Sequence, residues 1–265
     1  MFTSPGEIAV QIGSFTIYWY GICMALAILT GIFCSVKIAK KFYPLFDLDK
    51  FYDLIFYVLI GGIIGARLYY VGFDWGYFSQ NLSDIPKLWT GGLSIHGAIL
   101  GGFIGGFCYS KVKRMNLWMY SDITAFGLCI GQIIGRLGNF FNSEAFGRPT
   151  NLPWKLFIPA NSRPVGFEQF SFFHPTFAYE MILNLFVMAF LYFLVQKYPQ
   201  RHHGLIFFSY LILYSLIRIF IENIRIDSVF NLLGLPIAIW TSSILIVIAT
   251  IGLFLTQKTN KKGHS

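Results

Sequence analysis

Three arginines, Arg67, Arg136 and Arg218, stand inside long apolar runs. An arginine at the centre of a bilayer costs from about 2.5 kcal/mol upward, so each needs either a reach to the interface or a partner. In YSLIRIFIENIR (214–225), Tyr214, Arg218, Glu222 and Arg225 recur at i, i+4, i+8 and i+11, a single stripe on a helix. Glu222 can pair with Arg218 or Arg225, which leaves one cation over. In GQIIGRLGNFFNSE (131–144), Gln132, Arg136 and Asn139 form a second stripe, Gly135 and Gly138 open space beside the arginine, and no acid on that helix neutralises it. A guanidinium in that state seeks a planar anion, and phosphate accepts two parallel hydrogen bonds from it. Glu180 also lies within an apolar run and needs a cation, for which Arg67 and Arg218 are the candidates.

The elements that must carry these side chains are membrane spans. Of 265 residues 55% are hydrophobic and only 12% charged, with a mean hydropathy of +0.61, too little polar surface for a water-soluble domain. Seven stretches have the roughly 20 apolar residues that a bilayer core of about 30 Å requires. They lie near 14–36, 51–74, 91–112, 119–141, 174–195, 204–224 and 235–256. The expected fold is all-α and polytopic, a single transmembrane domain over 1–265 with an extracytoplasmic loop or cap at 142–173 carrying Pro149, Pro153, Pro159 and Pro164. Glycine-dense GGIIGAR (61–67) and HGAILGGFIGG (96–106) predict close packing of the second and third spans. The N-terminus has no basic region and carries Glu7, so the first span is not expected to be a cleaved signal.

The formal charge of +8 invites a nucleic-acid reading, but the basic residues are scattered through short loops between apolar runs. With loops assigned to alternate sides, one side holds Lys37, Lys40, Lys41, Lys50, Lys111, Lys113, Arg114, Lys197, Arg201, Lys258, Lys261 and Lys262. The other holds Lys87, Arg148, Lys155, Arg163 and Arg225. The positive-inside rule then sets the N-terminus outside and the C-terminus in the cytoplasm. Counted from the outer ends of the spans at 1.5 Å per residue, Arg67, Arg136 and Arg218 fall roughly 7–10 Å below the boundary. His96 and Tyr20 reach a similar depth. The chemistry so assembled suits an enzyme or carrier for an anionic lipid taken from the outer leaflet.

His96 is the candidate base, since imidazole titrates near neutrality and no other histidine sits deep in a span; hydrogen bonding across helices is its plainer use. Tyr20 and Asn139 carry uncharged donors suited to hydroxyls or phosphate oxygens, although tyrosine also belongs in an interfacial belt. His174-Pro175 reads as a helix start. Glu144 is a candidate for a surface pair, and Gly147 for a turn that lets a ligand pass. Cys23, Cys34, Cys108 and Cys129 form no CxxC pair and read as packing residues. His202 and His203 beside Arg201, and His264 in the tail, lie far from the outer acids, so no metal site is expected and no soluble cofactor motif is present. A transporter and a non-catalytic lipid-binding scaffold share the intramembrane arginines, but the spans contain no repeated half and the charges lie near one face.

GRLGNFFNSEAFGRP (135–149) closely resembles the defining motif of the prolipoprotein diacylglyceryl transferase family. WYG (19–21), GAR (65–67), GGLSIHGAILGG (91–102), HPTFAYE (174–180) and YSLIRIFIENIR (214–225) follow in the family's order. Two departures are Ser143, where many members have glycine, and Ile226 before Asp227, where a proline-containing ending is common. The resemblance implies transfer of the diacylglyceryl group of phosphatidylglycerol to the lipobox cysteine thiol of a preprolipoprotein, in a bacterial inner membrane, with a thioether formed and glycerol phosphate released. It implies Arg136 and Arg218 as the essential phosphate-handling residues, with Tyr20, Asn139 and Gly147 also important at the lipid and His96, Tyr214, Glu222 and Arg225 as supporting positions. The residues themselves add His96 as catalytic, Arg67 at the lipid, and Glu144 and Glu180 as supporting positions. No cofactor is implied.

Overall fold

A computed structural model describes residues 1–13, 15–198, 203–226 and 231–262; Arg201, His202, Asp227 and His264 lie outside the described residues. The chain is mostly helical. Its helices are α1 (Trp19–Phe42), α2 (Leu48–Phe73), the single turn α3 (Trp75–Phe78), α4 (Ile95–Val112), α5 (Leu117–Phe141), α6 (Thr176–Lys197), α7 (Leu205–Glu222) and α8 (Ile237–Lys262). Among the described residues, six are long and apolar enough to cross a membrane, namely α1, α2, α5, α6, α7 and α8. Helix α4, with 18 residues, five glycines and both His96 and Lys111, is the long helix outside that set. Large apolar side chains point outward along the spans, among them Leu29, Phe33, Phe56, Phe186, Phe220 and Phe254. Such a surface is tolerated where the solvent is lipid.

The contacts within the chain gather into two compact units, residues 45–120 and the remainder. In the smaller unit α2 and α4 pack backbone to backbone. A Cβ on Gly61 would stand 2.5 Å from the Gly101 carbonyl oxygen, and side chains at Gly65, Gly97, Gly101 or Gly105 would collide with the facing main chain. The predicted tight pairing of spans two and three follows from that spacing of small residues. Asp47 caps α2, accepting a hydrogen bond from the Lys50 amide at 3.1 Å.

In the larger unit α1 and α5 meet at another glycine pair. A Cβ on Gly31 would lie 2.9 Å from the Gly127 oxygen, and Ser35 Oγ donates to the Ile123 carbonyl at 3.1 Å. Helix α6 packs on α7, and α7 on α8, where Gly252 receives the ring of Phe208.

Short strands depart from the purely helical expectation. Strand β2 (Ile8–Ile12) folds back on β3 (Phe15–Tyr18), so α1 begins only at Trp19 and not near residue 14. Residues 15–18, rich in β-branched and aromatic side chains, pair with β2 and are claimed by the hairpin. Within 142–173, β4 (Leu156–Phe157) pairs in parallel with β1 (Phe2–Thr3) and antiparallel with β5 (Phe172–Phe173). Phe146, Leu156, Ile158, Phe173 and Phe177 close over a small core against Phe140, Phe167, Met181 and Ile226. Arg163 fastens this cap by donating to the Ile158 carbonyl at 3.0 Å and the Glu168 carbonyl at 2.9 Å. The proline-rich connection is thus a packed element with its own hydrophobic interior. A further hairpin, β6 (Asn231–Leu232) with β7 (Leu235–Pro236), turns at Leu233 and Gly234, both at positive φ, and runs directly into α8.

Two glycine substitutions separate contact from conformation. Gly61→Ala drives a methyl into the α4 backbone and is expected to destabilise by about 2 kcal/mol, within the usual range for overpacking. Gly131→Ala in α5 meets nothing within 4 Å and is expected to be neutral or to stabilise by up to about 1 kcal/mol. Thermal unfolding in detergent measures both, and equal shifts would contradict the packing described.

Candidate functional site

Helices α5, α6 and α7 of the larger unit carry the charged cluster. Arg136 Nη2 forms an ion pair with Glu180 Oε1 on α6, and its Nη1 donates to Asn139 Oδ1 at 2.8 Å. The Arg136 side chain is 19% exposed and that of Glu180 2%. Asn139 Nδ2 donates in turn to Glu144 Oε1 at 2.9 Å, and Asn142 Nδ2 reaches the same oxygen at 3.3 Å. An unbroken polar chain therefore runs from the buried face of α6, through the end of α5, into the turn that follows.

On α7, Arg218 Nη2 lies 2.7 Å from Glu222 Oε2, one turn along the same helix. Its other nitrogen, Nη1, is buried with no hydrogen-bond partner among the described residues. Tyr214, stacked on Tyr210 at 6.1 Å, lies within the electrostatic reach of Glu180, Arg136, Arg218 and Arg225 at once. Tyr214, Arg218 and Glu222 therefore keep the expected stripe, but Arg225 does not share it: α7 ends at Glu222, and Arg225 lies past the helix, bridged to Gly147.

These contacts correct the charge count. Arg136 has an acid after all, supplied by α6, and Glu180 pairs with Arg136 and not with Arg67 or Arg218. Spacing along one helix cannot reveal a partner on another. The guanidiniums still keep donors in reserve: each has five N–H groups, and Arg136 spends two of them on Asn139 and Glu180. The α6 signal was nonetheless readable, for Thr176, Glu180 and Asn184 recur every four residues on its buried face.

Arg67 does a different task from the one expected. It is 5% exposed, and its guanidinium donates to the carbonyls of Ile85 at 2.8 Å, Gly91 at 2.6 Å, Gly92 at 3.0 Å and Asp84 at 2.6 Å. With four bonds to backbone, it shapes the connection between α2 and α4 and has little left for an anion. Gly91 and Gly92 there adopt positive φ, and a Cβ on Gly92 would stand 2.8 Å from Arg67 Nη1. A cleft of about 370 Å³ opens beside this arginine, lined by Tyr70, Asp74, Tyr77, Asp84, Lys87 and Thr90. Lys87 and Tyr77 both donate to the Asp84 carboxylate and hold it below its ordinary range.

Tyr20 and His96 stand in the first turns of α1 and α4, shallower than the count from residues 14 and 91 implies. The Tyr20 ring lies against Gly138, where a Cβ would approach it to 2.7 Å, so that glycine makes room for tyrosine beside Asn139. Gly135 has open space around it. His96, in the smaller unit, faces the ring of Tyr69 at 6.1 Å.

The segment after α5 is stitched down on both sides. Gly147 N donates to the His174 carbonyl and Arg148 N to the Ile224 carbonyl, each at 2.9 Å, while Thr176 Oγ1 donates to the Ala145 carbonyl. Gly147 is required by space and not by a special turn, since a Cβ there would meet Ile224, His174 and Thr176 within 3 Å. Ser143 carries φ 53 and Ala145 φ 56, left-handed values at which glycine is at ease. Glu144 is engaged by the two asparagines and makes no surface ion pair among the described residues. His174 Nδ1 lies 3.0 Å from the Tyr179 hydroxyl, to which Trp154 also donates, and burial holds the imidazole below its usual range.

The chain was compared with known proteins. The profile of the family described as prolipoprotein diacylglyceryl transferase matches residues 7–255. A protein of Acaryochloris marina called phosphatidylglycerol–prolipoprotein diacylglyceryl transferase is 47% identical over 228 residues, covering 86% of this chain and 82% of its own. Proteins with the same name from Thermosynechococcus vestitus and a Synechocystis species are 41% and 42% identical, covering 96% and 97% of this chain and 93% and 92% of theirs. The polar chain of Arg136, Asn139 and Glu144, the stripe of Tyr214, Arg218 and Glu222, and these likenesses along almost the whole length agree: the chain belongs to the prolipoprotein diacylglyceryl transferase family.

Proposed function

We propose that this chain transfers the diacylglyceryl group of phosphatidylglycerol to the thiol of the lipobox cysteine in a preprolipoprotein, forming a thioether and releasing glycerol phosphate. The reading takes its substrates from the names of the relatives, and its support in the molecule is the pair Arg136 and Arg218, each held by a carboxylate. The setting is a bacterial plasma membrane crossed seven times, α4 included, with the N-terminus outside, the C-terminus cytoplasmic and the reacting groups in the outer-leaflet half. The whole chain acts as one catalytic domain, and 142–173 is its extracytoplasmic cap.

In this reaction the sulfur attacks an sp3 carbon and the C–O bond to phosphate breaks, so negative charge grows on the departing phosphate. Two guanidiniums already held by carboxylates are stationary donors for that charge and need no rearrangement as it develops. Glu180 and Glu222 each lie at one edge of their arginine, leaving N–H groups, including Nη1 of Arg218, which has no hydrogen-bond partner among the described residues, for phosphate oxygens. Neither arginine can act as a base. The nucleophile belongs to the substrate, a thiol of pKa about 8.5 that is mostly protonated at neutral pH. His96 is the proposed acceptor of its proton, while Tyr20 and Asn139 serve the glycerol hydroxyls and phosphate.

Purified protein, phosphatidylglycerol vesicles and a lipobox peptide are expected to give diacylglyceryl peptide and glycerol phosphate; folded protein that yields neither would overturn the assignment. Arg136→Ala and Arg218→Ala are each expected to lower turnover by at least about 10²-fold, the usual consequence of removing a donor to a developing oxyanion, with membrane insertion unchanged. Full turnover in either would remove the phosphate role. His96→Gln is expected to reduce turnover; full turnover would exclude His96 as the acceptor.

A further inference from the structure

Asp122 is a carboxylate 1% exposed, set among Ile123, Ala125 and Phe126, none of which has any exposed surface. A buried acid in such surroundings needs partners. It accepts hydrogen bonds from the amides of Gly204 at 2.7 Å and Phe207 at 2.8 Å, the first turn of α7. Gly204 stands at the N-cap with φ 96 and has no side chain to offer its own helix. A cap usually comes from the residue at that position. Here α5 supplies it, with the acceptor oxygens of a carboxyl group at the positive end of α7.

The numbering gives this tie a second meaning. Arg136 follows Asp122 by fourteen residues on α5, and Arg218 follows Gly204 by fourteen on α7. At 1.5 Å per residue both arginines stand about 21 Å along their helices from the same fastening. Fourteen residues are also nearly four turns, so Asp122 and Arg136 share one face of α5. The seam between the two helices continues from the tie through Tyr210, which lies beside Cys129 and Gln132, to Tyr214 near both arginines.

We propose that Asp122 is a positioning residue that sets the register of α7 on α5, so that Arg218 stands level with Arg136. The proposal rests on the reading of those arginines as the phosphate-holding pair. Loss of the tie lets α7 slide or turn against α5, and a displacement near 1 Å at a reacting centre can lower a rate about 10²-fold.

The test uses the full chain with its four native cysteines replaced by alanine and spin labels at Leu137→Cys and Phe220→Cys, both exposed positions. In Asp122→Ala the label-to-label distance distribution is expected to shift or broaden, and the kcat of the unlabelled variant per folded molecule to fall about 10- to 100-fold with little change in KM for phosphatidylglycerol. An unchanged distribution overturns the proposal, whatever the arginine variants do. An altered distribution with unchanged kcat overturns it as well, as does a lowered unfolding temperature with kcat intact, the signature of a merely structural cap. Should Asp122→Ala fail to insert, the isosteric Asp122→Asn, which cannot accept both amides, takes its place with the same outcomes. Retained turnover in Arg136→Ala and Arg218→Ala would instead remove the phosphate reading and leave the distance measurement to stand by itself.

Discussion

A guanidinium surrounded by apolar helices must find its counter-charge within the protein, and the Arg136–Glu180 pair meets that requirement by joining α5 to α6. Much of the larger unit is organised around it. Asn139 accepts one of the arginine's hydrogen bonds and donates another to Glu144, which orders the turn leaving α5. That turn leads directly into Gly147, wedged against His174 and Thr176 at the start of α6 and Ile224 beyond the end of α7. Breaking such a pair strands one buried charge and costs about 3–5 kcal/mol, so Glu180 is held as firmly as the arginine. The pairing also fixes which edge of Arg136 remains available for a ligand.

Six of the seven expected spans and the tight pairing of α2 with α4 were legible in the sequence because apolar length and glycine spacing are local signals. So was the stripe of Tyr214, Arg218 and Glu222, which depends on a single helix. The partners of Arg136 and Arg67 were not legible. Glu180 comes from forty-four residues away, and the four acceptors of Arg67 are main-chain carbonyls, which leave no trace in residue type. Asp122 escaped notice for the same reason: it looks like a stray acid at a helix start until the amides of Gly204 and Phe207 are found against it. The strands were hidden because two- to five-residue segments carry too little pattern to compete with a long apolar run.

Arginine thus has two distinct uses in one molecule. Where its donors face carboxylates, as at Arg136 and Arg218, part of the fork stays free and the residue can meet a ligand. Where they face backbone, as at Arg67, the fork is consumed in folding a connection. Burial alone does not distinguish the two; the chemical type of the acceptor does.

The glycine faces of α2 and α4 have a mechanical consequence. With main chain against main chain at Gly61, Gly65, Gly97, Gly101 and Gly105, that seam has few side chains whose rotamers can yield to a shear or a bend. A load on that seam is carried by the two helices as a unit, and repacking is left to interfaces built of larger side chains.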